Sequence, residues 1–312
     1  MVNLTENESQ TAIQHLSCNA RLLGSQQKII FTALNIPLSI TAFLGNVLII
    51  IALQKPSSLH PSSKLLFGCL AITDLGVGLI TQPLRVVYLM SRKESKLCHY
   101  VLILYNTMGL IFCGVSMLTL TAISVDRLLA LMLGLRYKQV VTLRRARALV
   151  FSFWPCTIAF IITVFYNPSI SDFAECTLIF LFLIVSSCCY TKIYLKLRKL
   201  PAQIHQRQPL GGYPEESRNN GTPLNIARYR KTVASALWVH IALVACYLPF
   251  GIVNATYAIA RQNTPFMETA WEMTVVVVLL NSTLNPFIYC WKIKRIKQAV
   301  KNVISQFCCC LR

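Results

Sequence analysis

The chain has 312 residues, of which 55% are hydrophobic and only 13% are charged, and its formal net charge is +19. Soluble domains carry roughly 25% charged residues, so apolar side chains are in clear surplus here. This apolar content excludes a disordered chain. A soluble nucleic-acid-binding protein with this net charge would contain far more charged residues, arranged in basic stripes. The composition therefore predicts a membrane protein that does not bind nucleic acid.

Seven segments are long and apolar enough to cross a bilayer as helices, which takes about 20 residues each. They cover residues 28–53, 64–90, 98–131, 147–166, 176–197, 232–260 and 270–291. The predicted fold class is all-α, a seven-transmembrane helix bundle over residues 28–291. Residues 198–231 connect the fifth and sixth spans and are predicted to form a polar loop.

Basic residues predict the orientation of the bundle, because Lys and Arg collect in short cytoplasmic loops. Seven of the 30 Lys and Arg residues lie on the side of the N-terminus, and the others lie on the opposite side. We therefore expect residues 1–27 outside the cell and residues 292–312 inside it, with the bundle in the plasma membrane. Asn3 and Asn7 begin N-glycosylation sequences, which agree with an outer N-terminus.

Residues 292–312 follow the last span and show the pattern of an amphipathic helix. Apolar residues recur at positions 293, 296, 300, 303 and 307, and basic residues occupy the other side. This pattern predicts an interfacial helix 8 in contact with lipids of the inner leaflet. Three cysteines follow at membrane level and are predicted palmitoylation sites: Cys308, Cys309 and Cys310.

Polar residues inside the predicted spans are costly there and are candidate functional groups. Asp74 lies midway along the second span, Ser116 lies in the third, and the seventh contains Asn281, Ser282 and Asn285. A carboxylate among hydroxyl and amide oxygens suits a small monovalent cation. The alternative is a protonated aspartic acid in a hydrogen-bonded network, and the sequence leaves both open. His240, the histidine deep in a span, is expected to be a hydrogen-bonded core residue.

Asp126 and Arg127 end the third span at its cytoplasmic side. They form either a surface ion pair of small energetic worth or part of a switch. Tyr190 and Tyr289 lie at similar depth in the fifth and seventh spans and would receive Arg127 if the bundle opened.

The sequence gives no support for an enzyme, because it lacks HExxH, GxSxG, Gly-rich phosphate-loop and metal-spaced CxxC motifs.

Two prolines interrupt the predicted sixth and seventh spans. Pro249 and Pro286 each remove a backbone hydrogen bond, which kinks a helix. A kink of this kind is a candidate hinge for movement of the inner half of a helix.

Seven motifs follow one another in the order found in class A, rhodopsin-like G-protein-coupled receptors. They are Gly45-Asn46, Leu70 to Asp74, Ser116 to Arg127, Trp154, Tyr190, Cys246 to Pro249 and Asn285 to Tyr289. The chain resembles this family across all seven spans. The resemblance implies a cell-surface receptor in which an extracellular agonist shifts the bundle and activates heterotrimeric G proteins. A non-signalling heptahelical scaffold is the first alternative, and a transporter is the second.

The resemblance also assigns roles to the polar residues singled out above. It implies an allosteric sodium ion bound by Asp74, in a pocket shared with Ser116, Asn281, Ser282 and Asn285; no other cofactor is expected. It implies a G-protein switch, which consists of Asp126, Arg127, Tyr190 and Tyr289. It implies an activation hinge, which consists of Tyr247, Pro249 and Pro286.

Two departures from the family pattern concern this switch. Tyr247 replaces the tryptophan that toggles in the family. In the family, an acidic residue on the sixth span pairs with the arginine at the end of the third span. Here that acidic residue is missing, and Tyr229 stands in its place. We therefore expect weaker locking of the inactive state and raised basal signalling.

Three cysteines lie outside both the apolar runs and the C-terminal cluster, so one disulfide at most is available to them. In the family, a cysteine at the outer end of the third span forms a disulfide. Cys98 lies about one helical turn further out than that cysteine. The resemblance implies that Cys98 pairs with Cys176, because the second outer loop is very short. Cys18 is the competing partner.

The ligand pocket is the part of the sequence with the least specific pattern. Amine receptors share an aspartate at the position that Gly109 occupies here. Its absence argues against a biogenic amine as the ligand. Arg85 would either pair with an anionic ligand or extend to the interface. The candidate pocket residues are Arg85, Asn106, Asn254, Tyr257, Glu268, Trp271 and Glu272. The agonist is left open among a small molecule, a lipid and a peptide.

Overall fold

The computed structural model describes residues 18, 23–54, 60–92, 95–166, 168–205, 222–260, 264–292, 297–298, 300–302 and 305. Within these ranges, the side chains of residues 135, 168–172, 199–205, 222–236 and 292 are not described. The predicted glycosylation sites Asn3 and Asn7 and the cysteines at 308–310 lie outside the described residues, and so does the side chain of Tyr229.

Seven helices in the described part of the chain are long and apolar enough to cross a membrane. They are α1 (Ser25–Gln54), α2 (Pro61–Met90), α3 (Lys96–Leu133), α4 (Leu143–Tyr166), α5 (Pro168–His205), α6 (Thr222–Ala260) and α7 (Pro265–Lys292). The described residues contain no strand. The predicted all-α, seven-helix fold is confirmed. Both α5 and α6 continue beyond their predicted spans into the range 198–231.

Helix α2 contains a turn of π-helix at Val77–Thr81, and only Gln82 separates this turn from Pro83. Proline cannot donate a backbone hydrogen bond, and its ring crowds the carbonyl one turn earlier. The wider turn absorbs this conflict without breaking the helix. Because a π turn holds one extra residue, it rotates the second half of α2 by about 100° relative to a continuous α-helix. The rotation decides where Arg85 points.

The helices form a closed ring around α3, which contacts α2, α4, α5 and α6, while α1 packs on α2 and α7. Two glycines allow α1 to approach its neighbours closely. A Cβ atom on Gly45 would lie 2.9 Å from the Pro286 ring, and one on Gly78 would lie 2.8 Å from the backbone nitrogen of Phe43. Large apolar side chains cover the outside, as Phe151 does with 71% exposure. Such a surface suits lipid as its solvent.

Two ends of the bundle are used below. The Cys18 face is the end where α1 begins, and the Arg127 face is the opposite end, where α3 ends. At the Arg127 face, short helical segments at Gly134–Arg136 and Tyr137–Val140 connect α3 to α4. Gly134 ends α3 with φ of +53°, a conformation that favours glycine.

The described residues between 297 and 305 are helical. Val300 is buried against the central core, whereas Lys297 and Lys301 are exposed. These residues therefore follow the amphipathic pattern predicted for helix 8.

Candidate functional site

A buried polar centre surrounds Asp74, whose side chain has no exposure to solvent. Ser116 on α3 donates a hydrogen bond to Asp74 Oδ1 at 3.4 Å, and Asn285 Nδ2 on α7 donates to Asp74 Oδ2 at 2.8 Å. Ser282 is buried one turn before Asn285 on α7 and lies near this carboxylate. The structure therefore brings together four of the five residues predicted for the sodium pocket.

The fifth residue, Asn281, is buried in the adjacent turn of α7, and both polar atoms of its amide lack a hydrogen-bond partner among the described residues. The Oδ1 atom of Asn285 is also buried and unpartnered there. Buried amide oxygens without donors, beside a carboxylate, are hard ligands of the kind that a small cation prefers. The donor set of this centre therefore fits a sodium ion.

The charged pair at the Arg127 face is held by more partners than the sequence indicates. Arg127 lies 3.3 Å from Asp126 Oδ2, which also accepts a hydrogen bond from Ser63 at 3.1 Å. The other carboxylate oxygen, Oδ1, accepts a hydrogen bond from the Tyr137 hydroxyl at 2.5 Å. The Arg127 guanidinium lies over the ring of Phe67, 5.8 Å from its centroid. Asp126 is thereby fixed from α2, from α3 and from the segment after α3.

Tyr137 lies outside the membrane-spanning helices, in the short helical segment Tyr137–Val140. Its burial, followed by its hydrogen bond to Asp126, raises the pKa of the phenol above its ordinary value. The hydroxyl therefore stays protonated at neutral pH and donates to the carboxylate.

The two tyrosines of the predicted switch contact aromatic rings of other helices. Tyr190 on α5 stacks on His240 of α6 with ring centroids 4.6 Å apart. Tyr289 on α7 meets Phe67 edge to face at 5.1 Å, and its buried hydroxyl has no hydrogen-bond partner among the described residues. Phe67 thus contacts both Tyr289 and Arg127. We call this arrangement, in which Tyr190 is engaged with α6, closed.

The predicted hinge residues lie in the core of α6 and α7. Tyr247 is 4% exposed and belongs to the central apolar cluster. Pro249 and Pro286 both lie inside their helices, and Pro286 packs against α1 at Gly45.

Arg85 is buried, and it pairs with another residue of this chain. Its guanidinium forms a salt bridge with the Glu272 carboxylate and donates to the Glu272 carbonyl at 3.0 Å. It also donates to the Tyr105 hydroxyl at 3.0 Å. The exposures of Arg85 and Glu272 are 1% and 2%. Extension of Arg85 to the interface is therefore wrong, and its pairing with an anionic ligand stays a prediction. The π turn of α2 points this side chain inward, toward α7.

The other predicted pocket residues lie on α3, α6 and α7. Asn254 is buried, and its Nδ2 atom lacks a partner among the described residues. Asn106, Tyr257, Glu268 and Trp271 are half-buried. Trp271 packs against an apolar cluster of α2 and α7. Asn254 thus offers a buried donor to a ligand.

The disulfide joins Cys18 to Cys98, with the two Cα atoms 6.3 Å apart, so the predicted pairing of Cys98 with Cys176 is wrong. The physical reason is the connection between α4 and α5, where residue 167 alone separates Tyr166 from Pro168. Cys176 therefore lies within α5, on no loop that reaches α3. The Cys18–Cys98 bridge packs in an apolar cluster with Leu23, Phe31, Tyr88, Leu89, Val101, Leu102 and Tyr105.

Several residues of these sites were not predicted from the sequence. They are Ser63, Tyr105, Tyr137, Ser186 and Ser124, each of which bonds to a residue on another helix or segment. Serine and tyrosine are common in membrane helices, so neither residue type signals a contact by itself. The prediction for His240 is confirmed, since it hydrogen-bonds to Ser186 and Ser187.

Seven membrane helices, a carboxylate-centred polar core and an Asp–Arg pair at one face define a receptor of the seven-helix class. The family model described as 7 transmembrane receptor (rhodopsin family) matches residues 45–289, and the chain belongs to this family. It is therefore a G-protein-coupled receptor and a multi-pass membrane protein, and it is not an enzyme.

Relatives with established names are similar along nearly their full length. Melanocortin receptor 5 of Mus musculus is 24% identical, over 99% of this chain and 94% of that protein. Adenosine receptor A3 of Ovis aries is 25% identical, over 92% of this chain and 93% of that protein. Melanocortin receptor 4 of Danio rerio is 23% identical, over 91% of this chain and 86% of that protein.

Proposed function

We propose that this receptor lies in the plasma membrane with its N-terminus outside, binds an extracellular agonist at the Cys18 face, and activates a heterotrimeric G protein at the Arg127 face. The observation that carries the proposal is the Asp126–Arg127 pair, held by Ser63 and Tyr137. A charge pair with this many partners is a stable resting state that a movement of the bundle can break.

The agonist in this proposal is a small molecule, a lipid or a peptide, and the names of the relatives include both melanocortin and adenosine receptors. Arg85 and Glu272 neutralise each other, so the pocket offers no uncompensated charge at that place. Asn254 offers a buried donor. We propose that the agonist is recognised mainly by hydrogen bonds and apolar contact.

We also propose two modifications that match this orientation. N-linked glycans at Asn3 and Asn7 fit an outer N-terminus. Palmitoyl groups at residues 308–310 fit a helix on the inner leaflet.

The first prediction concerns Arg127. We expect Arg127→Ala to reduce basal G-protein dissociation in cells to the level of untransfected controls, because the alanine removes the group that meets the Gα C-terminus. The measurement is G-protein dissociation across the main Gα families, with surface expression checked. Arg144→Ala removes one exposed positive charge from the same face and is the matched control.

Two results contradict the receptor proposal. One is an equal signal, above that of untransfected controls, from wild type and Arg127→Ala. The other is silence of surface-expressed wild type under a broad panel of ligands, which favours the scaffold alternative.

The second prediction concerns a sodium ion at Asp74. We propose that the oxygens of Asp74, Ser116, Asn281, Ser282 and Asn285 hold this ion. Sodium at ten times its dissociation constant would stabilise the fold by about 1.4 kcal/mol. We expect wild type to melt at a higher temperature in sodium chloride than in potassium chloride of equal ionic strength, and we expect Asp74→Asn to lose the difference.

Thr157→Val is the control for this experiment, because the Thr157 hydroxyl is buried and bonds to a carbonyl of its own helix, α4. That variant should keep the sodium effect. A wild-type protein with the same melting temperature in both salts would favour the alternative, a protonated Asp74 in a hydrogen-bonded network.

A further inference from the structure

A series of hydrogen-bonded side chains connects α3, α5 and α6 in the half of the bundle nearer the Arg127 face. The Ser186 hydroxyl lies 2.7 Å from the Ser124 hydroxyl and 3.0 Å from His240 Nδ1. The Ser187 hydroxyl lies 3.3 Å from His240 Nε2. Both ring nitrogens of the histidine are therefore engaged by α5. We call Ser124, Ser186, Ser187 and His240 the serine–histidine latch.

The latch lies where a broken hydrogen bond is costly. Ser124 is 2% exposed and Ser186 has no exposure, and both sit between apolar helices. In such surroundings, hydroxyl and imidazole groups that lose their partners find no water to replace them. A movement of α6 away from α5 would separate His240 from both of its serine partners.

The latch also contacts one residue of the predicted switch. The Tyr190 ring stacks on the His240 ring at 24° between their planes, and Tyr190 packs against Leu128 and Leu131 of α3. Its position is therefore determined by α3 and α6 together. The ion pair between Arg127 and Asp126, in contrast, lies within α3.

We propose that the serine–histidine latch holds α6 in the closed position, and that His240 is a positioning residue that keeps Tyr190 against α6. This inference rests on the proposed function, since closure matters only if the receptor switches. Opening α6 breaks both hydrogen bonds of His240 and releases Tyr190 toward Arg127.

The test separates the hydrogen bonds from the ring stack. His240→Phe keeps an aromatic ring beside Tyr190 and removes both hydrogen bonds. We expect it to raise the population with α6 open by about tenfold, the factor that corresponds to one or two hydrogen bonds of ordinary net strength. His240→Gln keeps a side chain that donates and accepts, so it should recover most of the closed population.

The position of α6 is measured without any G protein. Spin labels on encoded keto amino acids at position 144 and at the inner end of α6 report the distance between helices in purified receptor. Thiol labels are unsuitable because Cys156 and Cys188 are exposed. Basal G-protein dissociation in cells is the second readout. A longer distance without more G-protein dissociation would support the latch and contradict the proposed coupling.

A second variant is informative if His240→Phe fails to reach the membrane. Ser186→Ala removes the hydroxyl that joins Ser124 to His240, and we expect it to open α6 as well. Its matched control is Thr191→Val, since the Thr191 hydroxyl is exposed and bonds only to a carbonyl of its own helix in the described contacts. If His240→Phe or Ser186→Ala folds and leaves the distance unchanged from Thr191→Val, the latch proposal is wrong.

Discussion

Glu272→Leu is expected to lower the free energy of unfolding by roughly 3–5 kcal/mol, the usual cost of removing one partner of a buried ion pair. The variant leaves the Arg85 guanidinium buried, with the Tyr105 hydroxyl and one carbonyl as its described partners. Neither partner carries a negative charge. The measurement is the melting temperature of purified receptor, followed by size-exclusion fluorescence after heating.

Two further variants give this prediction its controls. Glu268→Leu removes the same charge one turn earlier on α7, where the side chain is half-buried, and should change stability much less. The double variant Arg85→Met with Glu272→Leu removes both charges and should recover most of the loss, because well-packed apolar residues often replace such a pair without cost. A Glu272→Leu protein as stable as Glu268→Leu would contradict the pair.

Cys98→Ser should lower stability by about 2–5 kcal/mol, the range for loss of a native disulfide. The bridge joins residues 80 positions apart and lies in an apolar cluster, so its loss frees a long loop and loosens the packing around Leu89. Cys18→Ser should have the same effect, and the double variant should be no worse than either single one. The stability of Cys176→Ser should remain close to that of wild type.

The pairing can also be measured directly. Proteolysis without reduction followed by mass spectrometry should recover a linked pair of peptides that contain Cys18 and Cys98. A linked pair that contains Cys98 and Cys176 would overturn the structural assignment.

The bridge gives the Cys18 face an arrangement that differs from the one implied by the family. Cys18, which precedes α1, is bonded to the start of α3 and packs in a cluster with Phe31 and Tyr88. One residue alone connects α4 to α5, so that side of the bundle has no loop long enough to cover the pocket.

The residues of the polar centre were predicted correctly as neighbours because their positions depend on simple regularities. Asp74 and Ser116 lie near the middle of their spans, and helices that cross the same bilayer place their midpoints at the same depth. Asn285 lies in the second half of α7, where it reaches Asp74. Their roles came from the family resemblance and not from the geometry of any one helix. The contacts of Asp74 with Ser116 and Asn285 agree with that prediction, while the bound ion remains a prediction.

The sequence by itself determined the seven spans, the all-α class, the family and the depth of each polar residue. These properties are local, because hydropathy and motif order are read within one helix at a time. They do not depend on how the helices face one another.

The tertiary structure decided which residues meet across helices. Arg85 and Glu272 are 187 positions apart, and Cys18 and Cys98 are 80 apart. The rotation of a helix about its own axis decides such pairs, and the π turn in α2 changes that rotation by about 100°. The rotation of α6 about its axis likewise decides that His240 contacts two serines of α5. Contacts of this kind are properties of the packed bundle, in which each buried polar group takes the partner that the neighbouring helices present.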